Sequence, residues 1–275
     1  MSDHAGTFDD SGWIDLALAA CDETDDLALL AYRGAREVST KSDGTLVTSA
    51  DREIERLIRD RIHARHPDHG LIGEEYGQEA ADSSVRWFLD PIDGTSNLVR
   101  GVPIFGTLIA VERGGTLEAA VVSAPALHTR WLAWRGGGAW SMTPDGQRRR
   151  LRVSSIGSIE QAHLLYASPT ALRATGLLPG LDALLAAAWR ERGFGDFWGH
   201  MLVAEGAGEM MLEYGLAAWD IAAPMLIVEE AGGRCTDLAG RSDLHGGGVF
   251  LSANARLHVP LLGALTGRGP EEALC

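Results

Sequence analysis

Cysteine, long apolar runs and positive charge are all scarce in this sequence. Three cysteines in 275 residues, Cys21, Cys235 and Cys275, make an odd set without metal-ligand spacing. That excludes a disulfide framework and points to reduced thiols in a cytoplasm. No apolar run approaches the roughly 18 residues that a membrane span needs. Residues 1–10 are polar and acidic and lack the basic and apolar regions of a signal peptide, which adds to the cytoplasmic expectation. Lysine and arginine total 24 against 38 aspartates and glutamates, a formal net charge of −14. Such a field repels nucleic acid, and no broad basic stripe interrupts it. The one basic cluster, Arg148, Arg149, Arg150 and Arg152, follows a Pro144-Asp145-Gly146 turn and reads as a solvated hairpin rim rather than a phosphate site. An anionic substrate would need a local attractor, and a cation held by clustered carboxylates is the natural candidate.

What remains is ordinary globular material, 45% hydrophobic and 23% charged, so the chain is neither disordered nor collagen-like. Its length suits one large domain or two tightly joined lobes. Ile14, Ala17, Leu18 and Cys21 recur at helical spacing and predict a helix over residues 11–36. Residues 41–48 are polar and turn-rich. A second helix is predicted from about Ala50, with Ile54, Leu57, Ile58 and Ile62 on one face and Pro67 ending it. His63 and His66 near its end read as solvated histidines, since a third metal ligand is wanting. Strands are predicted over residues 70–73, 87–89, 107–112, 117–123 and 130–135, then near Trp140 and over 151–154. Beyond them come a strand over 164–167, helices over 182–192 and 197–206, and a strand over 209–213. A helix over 220–231, a strand over 248–252 and a helix over 254–265 capped by Asn254 complete the series. Strands bunched in the middle, then alternating with helices, favour layered sheets and helices over a doubly wound fold.

The densest acidic chemistry is Asp90-Pro91-Ile92-Asp93-Gly94-Thr95, at the end of an apolar strand. Pro91 fixes the turn and Gly94 relieves steric limits, so Asp90 and Asp93 can face one point. Two carboxylates that close repel unless protonated or bridged by a cation, and oxygen ligands suit Mg²⁺. The competing reading makes Asp93 a helix cap. Gly73-Glu74-Glu75 puts two more acids after a strand, where a solvated loop is the alternative. Trp219-Asp220 opens an apolar helix, where Asp is also a favoured N-cap and Pro224 would be tolerated in the first turn.

In this order the three elements resemble the signatures of the inositol monophosphatase-like family, over about residues 41–254. The resemblance implies an α/β, five-layer αβαβα sandwich of the inositol monophosphatase/fructose bisphosphatase type. It implies a single domain over 1–275, with an N-terminal metal-binding lobe (about 1–155), a C-terminal α/β lobe (about 156–275), and a homodimer. Glu74, Asp90 and the Ile92 carbonyl would hold a first Mg²⁺, and Asp90, Asp93 and Asp220 a second. A third, weaker ion would lean on Glu74 and waters, and Mn²⁺ is an alternative metal. Thr95, supported by Asp51 and with Glu74 beside it, would direct an attacking water. Lys41 matches a family lysine near the metals. Gly94 and Thr95 amides would bind phosphate, with Asp220 also facing the substrate. No phosphoenzyme is required.

Gly195-Asp196-Phe197, Arg100-Gly101-Val102-Pro103 and residues 122–127 resemble the histidinol-phosphate phosphatase branch. Asp196 stands where the inositol phosphatases commonly carry a small hydroxyl residue, and Glu213 stands where both branches place a substrate-contacting acid. An acid pair would favour the ammonium and imidazole of histidinol phosphate through charge-assisted hydrogen bonds. As alternatives, Asp196 caps the following helix, and Phe197 and Trp198 pack in the core rather than wall an imidazole. Three functions follow from the resemblance: a histidinol-phosphate phosphatase of histidine biosynthesis, an inositol- or sugar-phosphate phosphatase, and a partner-binding factor in transcription. The small-molecule phosphate monoester is the expected partner in the first two.

Overall fold

The computed structural model describes residues 8–9, 11–34, 38–40, 46–173, 175–242, 244 and 248–267; Lys41 and Cys275 lie outside the described residues. Apolar residues recurring on one face give the first layer its two helices. Helix α1 (Trp13–Arg33) buries Ile14, Ala17, Leu18 and Cys21. A short antiparallel pair, β1 (Val38–Thr40) and β2 (Leu46–Thr48), leads into α2 (Ser49–Arg65), which buries Ile54, Ile58 and Ile62. Thr48 caps α2 and Asp51 reaches back to the Thr48 amide at 2.9 Å, forming a capping box.

The large sheet contains β3 (Gly70–Gly73), β4 (Gly77–Glu79) and β5 (Val85–Asp93). After the short helix α3 (Thr95–Arg100) it adds β6 (Gly106–Arg113), β7 (Thr116–Ala124), β8 (Thr129–Trp134), β9 (Gly138–Met142) and β10 (Arg148–Arg150). Its order is β10-β9-β8-β7-β6-β5-β3-β4. Only the β3–β5 pair is parallel, with Gly73 opposite Leu89. The chain therefore leaves both strands at the same sheet end, carrying Glu74 and Asp90 side by side.

The second sheet contains β11 (His163–Tyr166) and, after α4 (Pro169–Arg173) and α5 (Leu178–Ala187), β12 (Arg190–Arg192). Then follow α6 (Asp196–Ala204), β13 (Met210–Tyr214), α7 (Ala218–Glu230), β14 (Gly233–Thr236), β15 (Val249–Asn254) and α8 (His258–Thr266), with sheet order β12-β11-β13-β15-β14.

Alternation along the strands builds the layers. Trp87, Leu89, Ile109 and Val121 turn toward α1 and α2. Phe88, Leu108 and Val122 turn the other way, onto Met201, Ile221 and Leu226 of α6 and α7, which also cover Leu165 and Met211 of the second sheet. Leu164, Met210 and Leu251 face Leu181 of α5 and Leu261 of α8. The result is a five-layer αβαβα sandwich, an α/β layered fold with helices α6 and α7 between the sheets.

Several local expectations are corrected. Strand β5 runs on through Pro91 to Asp93, with a register shift between Asp90 and Asp93. The helix predicted to residue 192 stops at Ala187, and Arg190–Arg192 pairs with β11 instead. Residues 151–154 form no strand, and the arginine rim is itself the edge strand β10. Asn254 does not cap α8. It ends β15 and pins a turn, accepting from the Leu257 amide and donating to the Ile156 carbonyl, both at 2.9 Å. Pro224 lies in the second turn of α7 rather than the first, which removes a donor for the Asp220 carbonyl. Among the described residues no helix is long and apolar enough to cross a membrane.

Candidate active site

The parallel strand ends, the β5 bulge and the start of α7 bring four acids together. Asp90 is 2% exposed and touches the carboxyl groups of Glu74 and Asp220. Burial first, then the charges of Glu74, Asp93 and Asp220, hold its carboxyl well above the ordinary range. Asp93 is raised the same way, by burial and then by Asp196, Asp220 and Glu213. Asp220 is pushed up to about 7, chiefly by burial and against the pull of its bond from the Ala217 amide. Carboxyls that drive one another's pKa upward form a site for protons or for a cation.

Backbone amides fix two of the acids, Asp93 and Asp220, each through one carboxylate oxygen. Asp220 reaches back to the Ala217 amide at 2.7 Å, so its capping role is real. Asp93 does not cap the helix after it, because Gly94 occupies that N-cap in the left-handed region at φ 78°. Instead its carboxylate accepts from the Phe197 amide at 2.6 Å, which ties β5 to the first turn of α6. At Gly94 a Cβ would also meet the Ile104 carbonyl at 2.8 Å, so the turn requires glycine. Behind Glu74, a Cβ on Gly73 would strike the Glu55 carboxylate. Glu55 is buried, pairs with Arg59 at 2.8 Å and accepts from the Glu75 amide at 2.7 Å, so it braces the loop that carries Glu74.

Thr95 Oγ1 stands 3.1 Å from Asp51 Oδ1 and 2.9 Å from the Ile92 carbonyl oxygen. With a single proton it donates to one of them at a time. Asp51 is 1% exposed; burial pushes its carboxyl up, and bonds from Thr48 and Thr95 pull it back.

On the α6 side, Asp196 sits at φ 60°, a conformation uncommon for a residue with a side chain. It makes no cap bond to its helix, whose N-cap is Gly195. Its carboxylate accepts from Asn97 Nδ2 at 2.8 Å, and its amide approaches Glu213 Oε1 at 3.4 Å. Burial and then the Glu213 charge push Asp196 up to about 7. Phe197 is buried against Trp131, a core residue, whereas Trp198 is half-buried beside Phe194.

The donors fit a hard divalent cation, being carboxylate and carbonyl oxygens alone. Asp90 Oδ1, buried, has no hydrogen-bond partner among the described residues. Yet among those residues no three acidic, cysteine or histidine side chains already converge on one ion-sized point. What fits the cation is therefore the chemistry of the donors and the unpartnered Asp90 oxygen, not their present spacing. A recess of about 460 Å³ between α1 and β8 holds Asp22 and Asp25, but both are ion-paired with Arg130 at 2.6 Å. His66 stacks on His69 at 4.3 Å and His63 faces Glu79, with no metal set there among the described residues. Arg148 and Arg150 lie over Phe8 and Trp140, and Arg149 over Glu205, so the basic rim is used in packing.

Fold and carboxylate set together are those of a layered phosphatase. Residues 11–268 match the model of the inositol monophosphatase family, and the chain belongs to that family. It is 41% identical to a histidinol-phosphatase of Mycobacterium tuberculosis, over 90% of this chain and 95% of that one. It is 34% identical to an inositol-1-monophosphatase of Mesorhizobium japonicum, over 83% and 86%. Among solved structures it resembles the extragenic suppressor protein suhB of Bartonella henselae, with a TM-score of 0.84, 30% identity, and coverage of 92% and 98%.

Asn97, Glu55 and Arg59 escaped the reading from sequence. Asn97 lies two residues past the acidic run and could have been included with it. Glu55 and Arg59 carry only an i,i+4 pair on a helix, a pattern that normally marks a solvated face.

Proposed function

We propose that this phosphatase hydrolyses L-histidinol phosphate to L-histidinol and phosphate, by attack of a water under divalent metal ions. The observation that carries the substrate choice is the acid pair of half-buried Asp196 and buried Glu213, beyond the four crowded carboxylates. Acids so placed favour a cationic amine or imidazole over neutral hydroxyls. Similarity to the Mycobacterium tuberculosis histidinol-phosphatase supports the same choice.

Glu74, Asp90 and the Ile92 carbonyl would hold one Mg²⁺, and Asp90, Asp93 and Asp220 a second. Glu74 would lean on a third, and Mn²⁺ is an alternative ion. When bound, the ions supply Lewis-acid chemistry, acidifying water and neutralising charge on the phosphate and the departing oxygen. Thr95, when it donates to Asp51, releases the Ile92 carbonyl and turns a lone pair outward to accept from the attacking water. Asp51 holds that orientation, its other oxygen fixed by Thr48. Glu74, beside Asp90, keeps the water's side of the site polar. Gly94 and Thr95, at the start of α3, would offer their amides to phosphate oxygens.

The two-lobe division near residue 155, the homodimer and the cytoplasmic setting belong to the same reading. The lobe division is supported by the strands of the large sheet lying within residues 70–150 and those of the second within 163–254. Inositol or another sugar phosphate is the second substrate reading, supported by the Mesorhizobium japonicum relative. Partner binding in transcription is the least supported, because the carboxylates at Glu74, Asp90, Asp93 and Asp220 are all present.

Asp196→Asn tests the choice. The ratio of kcat/KM for L-histidinol phosphate to that for inositol 1-phosphate should fall about tenfold, roughly 1.4 kcal/mol of discrimination. Equal losses on both esters would remove Asp196 from substrate selection.

A further inference from the structure

Behind Glu213 runs a chain of buried polar groups that the reaction described above does not use. Cys235 Sγ lies 3.2 Å from Ser252 Oγ, and Ser252 Oγ lies 2.9 Å from His200 Nδ1. On the other side of the ring, His200 Nε2 faces Glu213 Oε2 at 3.5 Å. Cys235 and Ser252 are fully buried, His200 is 1% exposed and Glu213 8%. Neither His200 Nε2 nor Glu213 Oε2 has a hydrogen-bond partner among the described residues, and the two atoms face each other just beyond ordinary hydrogen-bond length.

The direction of the chain follows from counting protons. If His200 carried its proton on Nδ1, a bare ring nitrogen would face a buried carboxylate, two acceptors with no proton between them. If the proton is on Nε2, every donor is used once: the Cys235 thiol toward Ser252, the Ser252 hydroxyl to His200 Nδ1, and His200 Nε2–H toward Glu213. The second arrangement leaves no acceptor facing another acceptor. It also fixes the Glu213 carboxylate in rotation, with Oε1 accepting from the Asp196 amide at 3.4 Å.

We propose that His200, held in its Nε2–H tautomer by Ser252 and Cys235, is a positioning residue that orients Glu213 toward the cationic end of the substrate. The proposal rests on the reading of a cationic substrate above, and it acts through Glu213 without contact between His200 and the substrate. Two variants separate the ends of the ring. His200→Asn keeps a group near Ser252 but cannot reach Glu213; His200→Gln places an amide N–H near the position of Nε2.

Relative kcat/KM for L-histidinol phosphate against inositol 1-phosphate should fall about tenfold in His200→Asn and recover largely in His200→Gln, and in a Glu213→Gln background His200→Asn should add less than about twofold. A loss equal on both esters, or one as large without the Glu213 carboxylate as with it, would overturn the proposal. A wild-type enzyme with no preference for the amine-bearing ester would sink the substrate reading instead. The same double-mutant cycle on whichever ester is turned over would then judge the His200–Glu213 coupling separately. Long-range ¹H–¹⁵N correlation on histidine-labelled protein gives a readout apart from activity. The resonances lost in His200→Gln should have the Nε2–H pattern, and an Nδ1–H pattern would contradict the chain.

Discussion

Asp93 is held from two sides. One oxygen takes the Phe197 amide at 2.6 Å and anchors α6, while the carboxylate as a whole sits among Asp196, Asp220 and Glu213. Asn in its place can still accept from that amide but brings no charge to a cation. Asp93→Asn should therefore fold with a melting temperature near that of the wild type, yet lose at least about a hundredfold in kcat, as expected when a charged ligand is removed from a metal site. Phosphate-release assays beside a thermal melt check both halves. At this scale the acids of the site were legible because they cluster in short motifs whose spacing limits their geometry. Asn97 on Asp196 was not, because the contact joins positions 99 apart in the chain, and His200 on Glu213 was not, because only the packing of α6 on β13 brings the two together.

Elements that bury an apolar face announced themselves, as α1, α2 and the strands β6 to β8 did. Edge strands did not. Arg190–Arg192 and Arg148–Arg150 are polar and largely exposed, and they are strands only because a neighbour's backbone pairs with theirs. Asp220 satisfied both readings of its motif, a reach-back cap and a member of the acidic cluster. The packing of β14 against α8 has its own titration. His258, fully buried, is bonded through Nε2 to Thr236 Oγ1 at 2.9 Å, and its pKa is lowered to about 4, by burial first and then by Arg234. A lowered folded pKa means the unfolded chain binds the proton more readily. The stability is complete above the ordinary histidine value near 6.5 and is lost as pH falls toward about 4, on the order of 2 kcal/mol. Urea unfolding at pH 7 and pH 4.5 should show this loss in the wild type and a smaller one in His258→Gln.

The whole molecule carries a formal charge of −14, and its most crowded carboxylates lie at one sheet end. Asp196 and Asp220 have pKa values raised to about 7. Their stabilising contribution is full below the ordinary carboxylate range and is lost as pH rises through about 7. A divalent cation held as proposed would replace the proton of Asp220, so Mg²⁺ should raise the melting temperature more at pH 8 than at pH 6. At a hundredfold excess over Kd the gain is about 2.7 kcal/mol. An equal shift at both pH values would mean the ion binds elsewhere. The layered architecture could be read in advance because strands bunch and then alternate with helices; the meeting of Asp196 and Glu213 needed α6 and β13 packed against the end of β5.

One assay weighs the proposed reaction against its alternatives: phosphate release from L-histidinol phosphate and from inositol 1-phosphate, each with Mg²⁺ and with EDTA. A Mg²⁺-dependent preference of about a hundredfold for L-histidinol phosphate, roughly 2.7 kcal/mol, is the expected result. Equal or reversed preference, or turnover that survives EDTA, would contradict it.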